Sequence, residues 1–185
     1  MNKEILSQTD IYFGEIDMPK HFNINRDQLK SSLLESVLKD QQFFNDFVDR
    51  NFNDFKLNDC PAFFALNTYF IENMFLKHKL PIRNNFKFGS LFAKNQSSLT
   101  KNTVSKMDLL NSPDYTFIYG VDVLRNSQDL VILYDNKRIH NLCNIRNLNN
   151  NQFIMFPSFL NYYFSPNQSD NINTYLVSTY HLLTE

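Results

Sequence analysis

Glycine, tryptophan and cysteine are the residues this chain does without: 185 residues carry three Gly, two Cys and no Trp. Glycine stands well below the usual ~7%. Gly14, Gly89 and Gly120 lie far apart, which excludes a glycine-rich loop able to cradle phosphate. Cys60 and Cys143 share no CxxC or CxH spacing with any partner. Both read as small buried apolar residues in a reduced, cytosolic setting rather than as nucleophiles. No run approaches the ~18 apolar residues of a membrane span. The opening MNKEILSQTD lacks the apolar centre of a signal peptide. Charge of either sign is also missing in excess: the net charge is −1, and Lys and Arg are scattered. A polyanion needs clustered cations, so neither nucleic acid nor a membrane is expected as partner.

Apolar residues make up 43% of the chain, and 19 Phe and 9 Tyr are among them. That is enough to build a hydrophobic core in one domain spanning residues 1–185. Asn is roughly one residue in seven, the profile AT-rich codons produce, and the run Asn149, Asn150, Asn151 is too brief for a prion-like tract.

Periodicity divides the chain into helices first and strands after. Ile11, Phe13 and Ile16 alternate as a strand that Pro19 stops. From a cap at Asn23 or Asn25, Leu29, Leu33, Leu34, Val37, Leu38, Phe44, Phe47 and Val48 recur at helical spacing. A second helix is expected over residues 59–79, with Pro61 in its first turn and Leu80 and Pro81 ending it. Beyond Arg83 the period changes to two. FKFGSLFAK, DYTFIYGVDVL, DLVILYD, QFIMF, LNYYF and TYLVSTYHLL read as strands, with RNSQ as a hairpin turn and QSSLTKNTVSK and NKRIHNLCNIRNLNNN as polar connections. The expected class is α+β: residues 1–82 a strand plus two helices, packed on an antiparallel sandwich built from residues 83–185.

The most specific pattern lies in residues 151–180, NQFIMFPSFLNYYFSPNQSDNINTYLVSTY, read as two adjacent strands around a Pro/Asn/Ser turn. F-P-S-x-L, a short apolar strand, P-N-x-S-D and a final β-rich strand together resemble the C-terminal core of the 2-oxoglutarate/Fe(II) oxygenases, in the small form found in marine phages and bacteria. The resemblance implies a double-stranded β-helix, or jelly roll. It also implies one iron-binding His and one cosubstrate-binding Arg in this piece, and the matching positions hold Tyr162 and Thr174. The paired ligands, H-x-D/E, are expected just before DYTFIYGVDV. Met107, Asp108, Leu109 and Leu110 stand there, one carboxylate and no imidazole. Independently of alignment, the residues two places after His21, His78, His140 and His181 are Asn23, Leu80, Leu142 and Leu183, so no H-x-D, H-x-E or H-x-H pair exists. No Lys or Arg follows Arg146, which leaves the last strands without a cationic anchor for a carboxylate.

Other constellations are weaker. Ser158 lacks the G-x-S-x-G turn of a nucleophile and belongs to the structural frame of the resembled family. His140, Asp135 and His181 could meet as a metal site only by unforced proximity, and Asp122, Asp129 and Asp135 read as turn and edge residues. The expectation is a jelly roll without catalytic residues, metal or cofactor. Asp108, Tyr119, Asp135, Tyr162 and Thr174 would line its vestigial pocket. Its role would be a structural or assembly component of a phage virion (neck, tail or capsid surface), assembled in the host cytoplasm. The partners would be other phage structural proteins or copies of itself. The alternative is an active oxygenase using Fe(II) and 2-oxoglutarate through non-standard ligands, and a third reading is a small-ligand module using the same pocket.

Overall fold

Residues 10–16, 26–39, 54–56, 60–103, 112–136 and 139–183 are described by a computed structural model. The chain begins with β1 (Tyr12–Glu15), α1 (Arg26–Lys39), β2 (Asp54–Lys56) and α2 (Pro61–His78). Seven strands follow: β3 (Ile82–Phe92), β4 (Tyr115–Asp122), β5 (Leu130–Asn136), β6 (Ile139–Arg146), β7 (Gln152–Pro157), β8 (Asn161–Phe164) and β9 (Asn173–Leu182). The part of the first helical pattern at Phe44, Phe47 and Val48 lies outside the described residues.

The start of α2 is set by Cys60, whose extended backbone and Sγ acceptor take the Phe63 N–H at 3.4 Å, with Pro61 following where no amide is needed. Cys60 is therefore a cap as well as a buried apolar residue. Its end is a left-handed Lys79 (φ 54°), whose N–H reaches the Phe75 carbonyl while Leu80 N–H reaches that of Met74. Lysine does this work in a chain that spends almost no glycine.

Strands form two sheets, one in the order β1-β7-β4-β9-β3-β2 and the other β6-β5-β8. Every ladder is antiparallel. The larger sheet is covered on both faces. Phe117, Tyr119, Met155, Leu176 and Tyr180 join Leu29, Leu33, Phe63, Leu66, Phe70 and Met74 of the helices in one buried cluster. Ile118, Ile154, Phe156, Tyr175 and Val177 join Leu130, Ile132, Tyr162 and Phe164 of the smaller sheet in the other. Strand alternation sorts neighbouring residues between these two cores. Phe70 ties the helical layer down, its ring 4.3 Å from that of Phe117 and 5.2 Å from that of Phe153.

Three connections differ from the pattern reading. RNSQ is a turn, with Asn126 at φ 59°, but β4 and β5 belong to different sheets, so it carries the chain across the sandwich instead of closing a hairpin. Likewise β8 pairs with β5 whereas β9 pairs with β4 and β3, so the P-N-x-S-D segment is an arch and not a turn between hydrogen-bonded neighbours. Turn chemistry is the same in both cases, because it answers to local φ and ψ and not to the next strand's partner. Residues 139–146, read as a polar connection, form the edge strand β6.

The asparagine run has a structural task. Asn150 Oδ1 accepts the Val123 N–H at 2.7 Å, Asn151 Oδ1 accepts the Tyr119 hydroxyl at 2.8 Å, and Asn151 N–H donates to the Gly120 carbonyl at 3.0 Å. The bonds to Val123 N–H and the Gly120 carbonyl satisfy backbone groups beside the point where the β4–β9 register shifts, between Gly120 and Asp122. The approach is so close that a Cβ on Gly120 would lie 2.3 Å from the Asn149 carbonyl oxygen, whereas one on Gly14 would meet only the Phe153 ring at 3.4 Å. Gly120→Ala is expected to lower unfolding free energy by about 3 kcal/mol, and Gly14→Ala to change it by less than about 1 kcal/mol, both measured by urea denaturation.

Candidate functional site

A cleft of about 390 Å³ opens at one end of the sandwich. Phe86, Phe88 and Thr179 bound it from the larger sheet, while Lys101 and Tyr162 bound it from the smaller one. Thr103, Ser112 and Pro113 stand at its rim, on either side of residues 104–111, which are outside the described set. Lys101 is held in place by main-chain pairing: its N–H donates to the Tyr162 carbonyl at 2.9 Å and its carbonyl accepts the Tyr162 N–H at 2.8 Å. Its ammonium lies 5.6 Å from the ring centres of both Phe88 and Tyr162. Among the described residues lining the cleft, Lys101 alone carries a full charge.

Tyr162, at the position matching the distal iron ligand, is fully buried with its ring edge-on to Phe156 and Phe164. Of the three expected pocket residues whose side chains are described, it is the one that lines the cleft. Thr174 sits on the opposite face of β9: residues 175 and 177 belong to the core between the sheets, so alternation turns residue 174 toward the helices with Leu176. Tyr119 faces the helices for the same reason. Asp108 is outside the described residues, and so is the side chain of Asp135.

The far end of the sandwich is closed. Phe92, Phe164 and Tyr175 pack there with centroid separations of 4.7 and 4.5 Å. Beside them the buried Asn173 amide donates to Ser127 Oγ at 2.9 Å and to Gln128 Oε1 at 3.1 Å, while its Oδ1 accepts the Leu124 N–H. These neutral groups satisfy one another and leave no vacancy for a guanidinium. Ser158 is fixed as a frame residue: its Oγ shares a 2.9 Å hydrogen bond with Thr116 Oγ1, which also contacts Thr103 Oγ1, and its N–H donates to the Asp114 carbonyl.

An iron site of the family's kind requires two imidazoles and a carboxylate on one face of the metal. Among the described residues no three His, Cys, Asp or Glu side chains come together. His78 lies against the Tyr12 ring at the helical layer, and His181 Nδ1 is 3.9 Å from Asp114 Oδ2, a lone pair of groups at the strand ends. The expected region of the paired ligands, residues 107–110, lies outside the described set. The described side chains therefore do not fit Fe(II) in the family's geometry. The cleft is lined by the charge of Lys101 and by Thr179, a residue 3% exposed whose Oγ1 is buried and makes no hydrogen bond. Pattern reading missed Lys101 and Thr179, since one lay in a polar connection and the other in a run of strand formers.

No family model and no curated protein sequence matches the chain. Solved structures do. A prolyl-4-hydroxylase from Pseudomonas putida superimposes with a TM-score of 0.63 over 94% of this chain and 93% of that one, at 8% identity. HygX from Streptomyces hygroscopicus, with nickel, 2-oxoglutarate and hygromycin B bound, gives 0.63 over 94% and 83%, at 9% identity. A Burkholderia pseudomallei oxidoreductase of the 2OG-Fe(II) oxygenase family gives 0.50 over 70% of this chain, at 10% identity, and this chain spans 60% of that one's length. The chain thus has the fold of the 2OG-Fe(II) oxygenases, a mostly antiparallel jelly roll with few helices. The likeness corrects two expectations. The non-enzymatic virion component finds no counterpart in these structures, which are of enzymes, and a scaffold without cofactors stands against a neighbour that holds nickel and 2-oxoglutarate.

Burial also sets a pH response. Desolvation pushes the Tyr119 phenol up to about 12, and pushes Tyr175 and Tyr180 upward as well. Each folded value lies above the unfolded one, so the stabilising contribution is complete below about pH 10 and is lost as pH rises through the folded value. Ultraviolet tyrosinate titration should show these three phenols ionising together with the loss of circular dichroism above pH 10, later than exposed tyrosines.

Proposed function

We propose that this protein is an oxygenase of the 2-oxoglutarate/Fe(II)-dependent type that works with ligands departing from the family's His, carboxylate and His set, and that the cleft beside Tyr162 receives the 2-oxo acid. The observation that carries this reading is positional. The cleft opens at the residue matching the distal ligand and beside the segment where the paired ligands are expected, in a chain whose fold likeness to such enzymes extends over 94% of its length. Fold alone leaves function open, so the site must supply the rest.

The described residues offer no three-donor set for iron, and what they contribute is confined to the acid. Phe88 and Tyr162 give the cleft two aromatic walls, and a charge held between them would be less screened than in open water. Asn102 and Thr103 provide polar groups at the rim, and Asn102 is itself positioned by a 3.1 Å hydrogen bond to Asn161 Oδ1.

Anaerobic calorimetry with 2-oxoglutarate, alone and with Fe(II) or Mn(II), tests this directly when joined to an assay for succinate release in air. Micromolar binding together with succinate release is expected. A chain that neither binds nor consumes 2-oxoglutarate would remove the oxygenase reading.

A further inference from the structure

We infer that Asn85, Phe86, Asn102, Thr103 and Ser112, at the rim of the cleft, form a surface that selects an uncharged, hydroxyl-bearing ring, that of a sugar, as the molecule presented for oxidation. The inference rests on the oxygenase reading for what is done to that ring and not for its binding. It extends the part of the described residues from the acid to the second substrate.

The placement of Asn85 and Phe86 is the leading observation. Lys87 faces the helices, its ammonium 4.2 Å from the centre of the Phe63 ring. Alternation back from Lys87 would send Phe86 to the cleft and Asn85 to the helices. The β3–β9 register instead passes from Asn84 opposite Tyr180 to Phe86 opposite Thr179, with Asn85 as an extra residue. This bulge lets two consecutive side chains, Asn85 and Phe86, line the cleft together. Both are exposed, Phe86 by 50%. From the side of the smaller sheet Asn102 is set by the 3.1 Å bond from its Nδ2 to Asn161 Oδ1, and Thr103 and Ser112 complete the rim.

The chemical class follows from what these groups can pair with. None of the five carries a charge, and the four polar ones combine donors with acceptors, as a hydroxyl does. Each sugar hydroxyl can therefore meet either end of either amide. The C–H groups on the face of a saccharide ring are attracted by the electron-rich face of Phe86. A purely apolar ring would strip water from two amides and two hydroxyls and return no hydrogen bond. A cationic ring would be repelled by the Lys101 ammonium in the same cleft. An extended peptide finds no open main chain at β8, which is already paired there: Lys101 with Tyr162 through both backbone groups, and Ser98 N–H with the Phe164 carbonyl. At about 390 Å³ the cleft lies near the lower end of the ~300–1,000 Å³ of ligand pockets, which suits a single ring rather than a chain of them.

Saturation-transfer NMR and calorimetry of the full chain test the inference. The probes are the methyl glycosides of glucose, galactose and mannose, with cyclohexanol and a glycyl-prolyl-glycine tripeptide as apolar and peptide comparisons, each with and without 2-oxoglutarate. The variants are Asn85→Ala, Phe86→Ala and Phe86→Tyr, with Phe13→Ala, a comparably exposed ring on β1, as the control. Thermal melts of each variant separate loss of binding from loss of fold. At least one glycoside is expected to bind, about tenfold more weakly to Phe86→Ala and about fivefold more weakly to Asn85→Ala, with Phe86→Tyr and Phe13→Ala as wild type and 2-oxoglutarate affinity the same in all. No glycoside bound by the wild type, or glycoside affinity unchanged in both Phe86→Ala and Asn85→Ala, would overturn the inference, and 2-oxoglutarate bound in the same samples would leave the oxygenase reading standing. Cyclohexanol or the tripeptide bound as tightly as the best glycoside would overturn it too. A glycoside held through Phe86 by a chain that neither binds nor consumes 2-oxoglutarate would support the surface and overturn the oxygenase reading.

Discussion

Burial of the larger sheet on both faces is the constraint on which the rest of this structure depends. In β9 residues 173–180 are all buried, which no single-faced sheet permits. Odd and even positions there answer to different partners, the smaller sheet on one side and the two helices on the other. A strand under this constraint reads as a continuous apolar run rather than an alternation. It also has no neutral register: a slip by one residue would send Tyr180 and Leu176 into the sandwich and Val177 and Tyr175 against the helices.

The cleft is a local relaxation of that constraint. Between the sheets most inward positions hold large side chains, Phe92, Phe164, Tyr175 and Ile132 among them, and the space is filled. Toward the end bearing Tyr162 the inward position of β9 is Thr179, paired with Phe86, whose ring is half-exposed at the edge. Volume is lost there and a polar atom is gained. In this chain one end is given over to aromatic packing and an asparagine network, and at the other Lys101 is the one cation among the described lining residues.

Much of this was legible in the residues. The helical spacing from Leu29 to Leu38, Pro61 at a helix start and the period-two runs after Arg83 follow from backbone geometry and from the need of each element to hide one face. The F-P-S and P-N-x-S-D segments pointed to the fold that the solved structures bear out. Lys101 carried no such signal, for a lysine in a polar connection looks the same whether it faces water or a cleft. Thr174 and Tyr119 were both expected to line the pocket, yet both face the helices. The register of β9 relative to its neighbours decides that, and no feature of the strand itself records it.

The residues alone determined most of the segments that become helix or strand, that the final strands carry no cation, and that no H-x-D or H-x-H pair exists anywhere in the chain. Those are properties of composition and local spacing. Only the tertiary structure decided which face of each strand meets which core, which ends of the sandwich are filled, and that Lys101 and Thr179 share a cleft. The physical reason is that period two divides a strand's residues into two sets but is symmetric between them. The symmetry is broken only when helices and a second sheet arrive to cover opposite faces.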